Sequence, residues 1–295
     1  MLNLLVYANC QGSMVEKFVV PEISKYLTVS AVHIVNYEAI KLGYGCAGAT
    51  DLPEHYKRII READIIVYQN LSEDHGMLST SGRIENSFMT QAKSKALKIS
   101  FPYVSNSAIW PTYIEEKRNG ISFKTDSHIV EIARSAYSEE ELIKKYTNGE
   151  MKFNFSDRFD VSIRETLERE KETDVKISEF IRENVSKKRL FLTHNHPTTA
   201  VMSEMARQII GIISSNIGFD FDQSEYMRNQ SFASENTCKL PGYYPIDFYS
   251  IRHYNFQFAQ EQDLAAPDYY KMHMVALYNL VRGRPAEVPF ISASV

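Results

Sequence analysis

A single cysteine, Cys10, stands between two carboxamides, Asn9 and Gln11, with Gly12 and Ser13 behind it. The apolar run Leu2–Tyr7 in front of it has the length of a buried strand, and helix-compatible residues follow. Cys10 is therefore expected where a strand gives way to a helix. The free amides and macrodipole of a helix N-terminus favour an anion and lower a thiol pKa. That position suits a nucleophile that carries an acyl group, or a backbone nest that holds a phosphate or an oxyanion. The competing reading is a small buried hydrophobe, the usual role of a lone cysteine.

A second cluster is Thr193-His194-Asn195-His196-Pro197. Alternation along a strand would turn His194 and His196 to one side and Asn195 to the other. One imidazole can then act as a general base near neutral pH and the other can bind a ligand. No third residue completes a metal set. Asn70, Ser72, Ser105 and Asn106 also follow apolar strands and can hydrogen-bond an oxyanion or a sugar hydroxyl, although Asn and Ser are common turn residues. Lys17, Arg83, Arg252 and Arg282 can meet phosphates, but spacing selects none of them.

The elements that must position these groups read as follows. Strands are expected at Leu2–Tyr7, Val29–Val35, Ala63–Asn70 and Ala96–Phe101, with a fifth at Arg189–Thr193. The first helix runs from about Ser13 to Tyr26, buries Met14, Val15, Phe18 and Val19, and is kinked or divided at Pro21. Asp51-Leu52-Pro53-Glu54 opens a helix through Arg61. Gly43–Ala49 is a glycine-rich segment that a ligand can approach closely. Strands alternating with helices indicate βαβ units and a parallel sheet. Four polar clusters then share the rim at the carboxyl ends of the strands, where ligands bind such sheets: Asn9–Ser13, Gln69–Ser72, Pro102–Asn106 and Thr193–Pro197. The charged stretch Asp126–Glu183 reads as solvated helices. Helices are also expected at Thr199–Ile213 and Tyr269–Leu280, and the aromatic-rich last third, with Trp110, reads as core.

Of 295 residues, 44% are hydrophobic and 24% charged, which fits a globular chain, and the net charge of −4 with no dense basic block argues against a nucleic-acid partner. The cysteines Cys10, Cys46 and Cys238 form neither a CxxC pair nor a zinc pattern, so reduced thiols in the cytoplasm are expected. The start of the chain lacks the basic region and long apolar core of a signal peptide. No apolar stretch reaches the ~20 residues that span a bilayer.

Asn9-Cys10-Gln11 near the start, Phe101-Pro102, a late Asn195-His196-Pro197 and the Tyr244-Pro245-Ile246 stretch together resemble the WcbI-like polysaccharide-biosynthesis proteins. These are regarded as acetyltransferases of bacterial capsule assembly that bind coenzyme A. The family usually has Gly before Asn-Cys-Gln, where this chain has Ala8. The resemblance implies an α/β fold: a parallel-sheet, SGNH-like subdomain elaborated with helices into a cradle around coenzyme A. It implies one domain over residues 1–295, with a sheet core at 1–125 and 187–220, a helical insertion at 126–186 and a C-terminal helical section at 221–295. In SGNH hydrolases a nucleophile follows the first strand and a His the last; the matching positions are Cys10 and His196. The implied function is transfer of acetyl from acetyl-CoA to a sugar hydroxyl of a surface polysaccharide. Cys10, His196 and His194 are the catalytic candidates, and Asn9, Gln11, Gly12, Asn70, Ser105 and Asn106 the cofactor contacts. In one version Cys10 attacks the thioester; in the other His196 activates the hydroxyl directly while Cys10 and the helix amides stabilise the oxyanion. An SGNH-type carbohydrate esterase and a non-catalytic coenzyme A or glycan-binding protein are the alternatives. A carbohydrate acceptor and polysaccharide-assembly proteins are the expected partners, without membrane insertion.

Overall fold

In a computed structural model of the chain, Leu4 to Ala8 are all buried, so β1 (Leu2–Ala8) is covered on both faces. A strand covered on both faces carries a continuous apolar run rather than an alternation, and it belongs inside a parallel sheet. β1 lies between β2 (Val29–Val35) and β3 (Ile65–Gln69), and β4 (Leu97–Phe101) extends the sheet to the order β2-β1-β3-β4 with every neighbouring pair parallel. β2, at an edge, alternates partly buried and exposed residues. All four expected strands of this sheet are present.

The structure describes residues 1–44, 52–111, 114–117, 120–123, 127–230, 244–259 and 267–285. They group into two units: Met1–Tyr103, Thr166–Phe180 and Thr199–Ser231 form the first, and Val104–Glu165, Ile181–Thr198 and Phe232–Val295 the second. Cys46, Cys238 and most of the Gly43–Ala49 segment lie outside the described residues.

In the first unit, a 3-10 turn at Cys10–Gly12 leads through a π-helical stretch, Val15–Val19, into α1 (Val20–Ile23). Pro21 accounts for the irregularity. It has no N–H for the carbonyl four residues back, and its ring crowds that carbonyl, so the chain widens ahead of it. Met14, Val15 and Val19 are buried as expected, whereas Phe18 is only partly so. Next come α2 (Asn36–Lys41), α3 (Glu54–Glu62) and α4 (Phe88–Gln91). Asp51, the expected cap of α3, is outside the described residues, and Pro53 occupies the N-cap position without a side-chain bond. Tyr7 joins the sheet to the segment after β3. Its ring stacks on Phe88 (centroids 3.8 Å apart, 14° between planes), and its hydroxyl donates to the Leu78 carbonyl (2.7 Å).

The second unit begins with an antiparallel hairpin, β5 (Ile114–Lys117) and β6 (Gly120–Phe123), which the sequence reading did not anticipate. The charged middle is helical as expected: α5 (Ser127–Ser135), α6 (Glu139–Thr147), α7 (Phe155–Glu170) and α8 (Ser178–Asn184), the last two shared by residue with the first unit. Arg189–Thr193 does not rejoin the parallel sheet. Instead β7 (Phe191–Thr193) pairs antiparallel with β8 (His196–Pro197) in a separate two-stranded sheet. Apolar periodicity reports strand character but not the partner. Pro197 cannot donate to a ladder, and Thr198 N continues the pairing by donating to the Leu190 carbonyl (2.9 Å).

α9 (Thr199–Ile217) and α10 (Gln223–Asn229) return to the first unit, where α9 packs on β4 and on the Val15–Val19 stretch. α11 (Phe248–Tyr254) and α12 (Pro267–Leu280) belong to the second. Its core includes Ile129, Leu142, Tyr146, Met274 and Leu277, with Phe248, Tyr249 and Tyr269 packed against it. Trp110 is buried and donates to the Pro245 carbonyl (3.1 Å), so these aromatics are core, as expected. Among the described residues no helix is long and apolar enough to cross a membrane.

The Tyr7 anchor can be tested alone. Tyr7→Phe keeps the stack on Phe88 and removes only the bond to Leu78. We expect a loss of roughly 1–3 kcal/mol in urea denaturation, the range for one buried acceptor left without its donor.

Candidate functional site

The strand order places a crossing point between β1 and β3. From β1 the chain passes to β2 on one side, then returns across β1 to build β3 and β4 on the other. The carboxyl ends of the two strands flanking such a point diverge and leave a crevice, the usual ligand site of open parallel sheets. Asn9-Cys10-Gln11-Gly12 follows β1 there, and Gln69 ends β3 beside it.

Side-chain hydrogen bonds fix this turn. Asn9 caps it: its Oδ1 accepts from Gln11 N (2.8 Å), and its carbonyl accepts from Gly12 N (2.9 Å). Gln69 clamps both ends. Its Oε1 accepts from Asn9 N (3.1 Å), and its Nε2 donates to Gln11 Oε1 (3.2 Å). Both glutamines are almost wholly buried, at 3% and 1% exposure. Gly12 permits the close fit behind the turn. A β-carbon there would lie 2.7 Å from His33 Nε2 and 2.9 Å from both Ala8 and Val6 side-chain carbons. His33 backs the turn, with Nε2 3.4 Å from the Ala8 carbonyl and Nδ1 3.7 Å from Glu16. Ala8, where the resembled family has glycine, is ordinary buried strand and needs no special backbone.

Cys10 is half-buried at the start of the turn. Burial holds its thiol above the ordinary range, and the backbone amides of Cys10 and Gln11, which face the sulfur, oppose this without cancelling it. The expectation of a lowered pKa is thus corrected. The helical segment is a 3-10 turn running into a π stretch, so no long dipole adds to those two amides. They remain donors for any negative charge that develops beside the sulfur.

Asn70, one residue past Gln69, donates through Nδ2 to the Glu172 carbonyl (3.0 Å) and lines a cavity behind β3. These groups belong to the first unit.

Ser105, Asn106, His194 and His196 belong to the second. Asn106 N donates to the His194 carbonyl (2.7 Å), and Asn106 Oδ1 accepts from Ala108 N (2.9 Å). Asn106 Nδ2 is buried with no hydrogen-bond partner among the described residues. Ser105 and His194 line a pocket of about 250 Å³ with Ser107, Ser162 and Glu165. The two histidines are not alternate residues of one strand, as the sequence reading supposed. His194 and Asn195 form the turn of the β7–β8 hairpin, and His196 starts β8 opposite Thr193.

That pairing sets the chemistry of His196. Thr193 Oγ1 donates to Asn195 Oδ1 (3.1 Å) and lies 2.7 Å from His196 Nδ1. A hydroxyl has one proton. That proton is shared between two acceptors, Asn195 Oδ1 and, in one tautomer of the ring, His196 Nδ1. Burial lowers the His196 pKa, so the ring is neutral at pH 7. Thr193 and Asn195 thus orient the His196 ring. Thr193 and Gln69, which the sequence offers only as members of polar clusters, make the hydrogen bonds that hold these two segments. A polar amide ending the apolar strand Ile65–Gln69 was the available signal, since a buried carboxamide needs partners. No group of three or more His, Cys, Asp or Glu able to hold a metal occurs among the described residues.

The family model described as "Polysaccharide biosynthesis enzyme WcbI" matches residues 3–216, from β1 to the end of α9. No curated protein matches the chain. A solved structure of WcbI, described as a novel polysaccharide biosynthesis enzyme in native form without a disulfide bond between coenzyme A and one of its cysteines, matches with a TM-score of 0.50. Identity is 19%, over 96% of this chain and 95% of that one, so the likeness is one of fold.

Gly12→Ala tests the packing of the turn. We expect a cost of about 1–3 kcal/mol in thermal or urea unfolding, because His33, Ala8 and Val6 leave no room for the methyl group. Unchanged stability would mean that the turn is loosely held.

Proposed function

The chain belongs to the WcbI family of polysaccharide biosynthesis enzymes, and from that premise we propose that it transfers an acetyl group from acetyl-CoA to a sugar hydroxyl of a capsular or other surface polysaccharide. The observation that carries this reading is the clamped Asn9-Cys10-Gln11 turn at the crossing point of the sheet, with two amides facing the sulfur. The WcbI structure described by a disulfide bond between coenzyme A and a cysteine, absent from that native form, supports seating the cofactor's thiol end beside Cys10. The order of a group after the first strand and a histidine late in the chain supports the SGNH-like comparison.

In this reading the sugar hydroxyl attacks the thioester carbonyl carbon and gives its proton to a general base, the role that the family resemblance gives to His196. Negative charge gathers on the carbonyl oxygen, and the amides of Cys10 and Gln11 are the donors proposed to receive it. The carbon–sulfur bond then breaks, and the coenzyme A thiolate leaves with the proton held by His196. The products are an acetyl ester and free coenzyme A. Burial keeps the Cys10 thiol protonated, which favours this direct route over an acetyl-Cys10 intermediate. Asn9, Gln11 and Gly12 shape the seat of the thioester. His194 takes a binding role, because it opens on the Ser105 and Glu165 pocket.

Calorimetric titration should show saturable binding of coenzyme A and acetyl-CoA, and none of AMP. With acetyl-CoA and methyl glycosides, Cys10→Ser should keep transfer within about tenfold, and His196→Ala should lower kcat by roughly 10²–10⁴. His196 must be neutral to accept a proton. Activity should therefore be full at pH 7 and fall only as pH drops through a value below that of ordinary imidazole. Acetyl trapped on Cys10, with Cys10→Ser inactive, would overturn the direct route. Absence of binding to either coenzyme would overturn acetyl transfer.

A further inference from the structure

Between Asn70 and Arg83 the chain folds back on itself. Leu71 N donates to Thr80 Oγ1 (2.9 Å), and Thr80 N donates to the Leu71 carbonyl (3.1 Å), which joins the two arms. Gly76 makes the reversal at φ +52°, a conformation that favours glycine. Ser81 Oγ donates to Glu73 Oε1 (2.8 Å) and accepts from Arg83 N (3.2 Å). The Tyr7 hydroxyl ties the segment to β1 through Leu78, and Asn70 ties its start to Glu172. A cavity of about 600 Å³ results, lined by Asn70, Glu73, Thr80, Ser81, Arg83 and Glu172 among others. That volume lies within the about 300–1,000 Å³ usual for small-molecule sites. The cavity begins one residue beyond Gln69, whose side chain clamps the Cys10 turn in the same unit.

We propose that this cavity is the acceptor subsite and takes a hydroxyl-rich, non-anionic sugar; the assignment rests on the acyl-transfer reading above. Sugar hydroxyls both donate and accept. The lining answers with a carboxamide, alcohol oxygens, carboxylates and a guanidinium, held in place by the hydrogen bonds just described. Its charge decides the class of sugar. Among the lining residues Glu73 and Glu172 outnumber Arg83, whose Nη1 is 3.7 Å from Glu73 and is offset by it. A uronate, or the phosphates of a coenzyme, meets a net negative field there, while a neutral or amino sugar does not. Asn70 thereby becomes an acceptor contact instead of a cofactor contact.

The test is amide chemical-shift mapping of the full chain. The probes are the methyl glycosides of glucose, galactose, mannose and N-acetylglucosamine, the methyl glycoside of glucuronate, and, separately, coenzyme A. At least one neutral glycoside should saturably shift the amides of Leu71, Ser81 and Arg83 and bind about fivefold or more tightly than the glucuronate. Glu172→Gln, at an exposed position, should narrow that ratio without altering the fold. The proposal is overturned if no neutral glycoside shifts these amides, or if the glucuronate binds there as well as the neutral sugars do. Coenzyme A shifting the amides of Asn9–Gly12 with no glycoside response would sink the subsite and leave acyl transfer standing. Glycoside binding in this segment without any response to coenzyme A would do the reverse.

Discussion

The Gln69 carboxamide holds together the end of β3 and the turn that follows β1. One side chain accepts from Asn9 N and donates to Gln11 Oε1, and both glutamines are almost wholly buried. A buried polar group left without a partner costs about 1–3 kcal/mol, so the amide is tolerated at the end of an apolar strand only because both its ends are used. The shape of the Cys10 turn depends on that requirement. Cys10 itself stays half-buried at the start of the turn.

Around the clamp, neighbouring constraints act in the same direction. Gly12 lets the turn settle against His33 and Val6, and Pro21 widens the following helix into a π stretch. Tyr7, two residues before Asn9, reaches to Leu78 and steadies the segment after β3. The first unit therefore presents a thiol with two facing amides and, from the next strand, a self-tied polar cavity. In the second unit, a hairpin of a few residues orients His196 through Thr193 and Asn195. Burial sets the proton on both groups, keeping Cys10 protonated and His196 neutral.

The four strands of the sheet were legible because their apolar runs are continuous and bounded by polar or proline residues. The Asn-Cys-Gln turn was legible because it follows the first of these runs directly. The fifth strand was legible as a strand but not in its pairing, since Phe191–Thr193 meets the next residues of its own hairpin. The arrangement of His194 and His196 was misread for the same reason: a tight turn between them removes the alternation assumed for a longer strand. The thiol pKa depends on a balance between burial and two amides, which only packing decides. Gln69 was legible as a member of a polar cluster but not as a clamp, because its bond to Gln11, 58 residues away, leaves no local pattern.

The most direct measurement is the rate at which iodoacetamide alkylates Cys10, read by mass spectrometry of its peptide, in the wild type and in Gln69→Leu across a coenzyme A titration. If the clamped turn seats the thiol end of the cofactor, coenzyme A protects Cys10 in the wild type, and Gln69→Leu needs at least about fivefold more for the same protection, since losing the clamp costs about 1–3 kcal/mol. Equal protection in both proteins, or none in the wild type, would contradict that account.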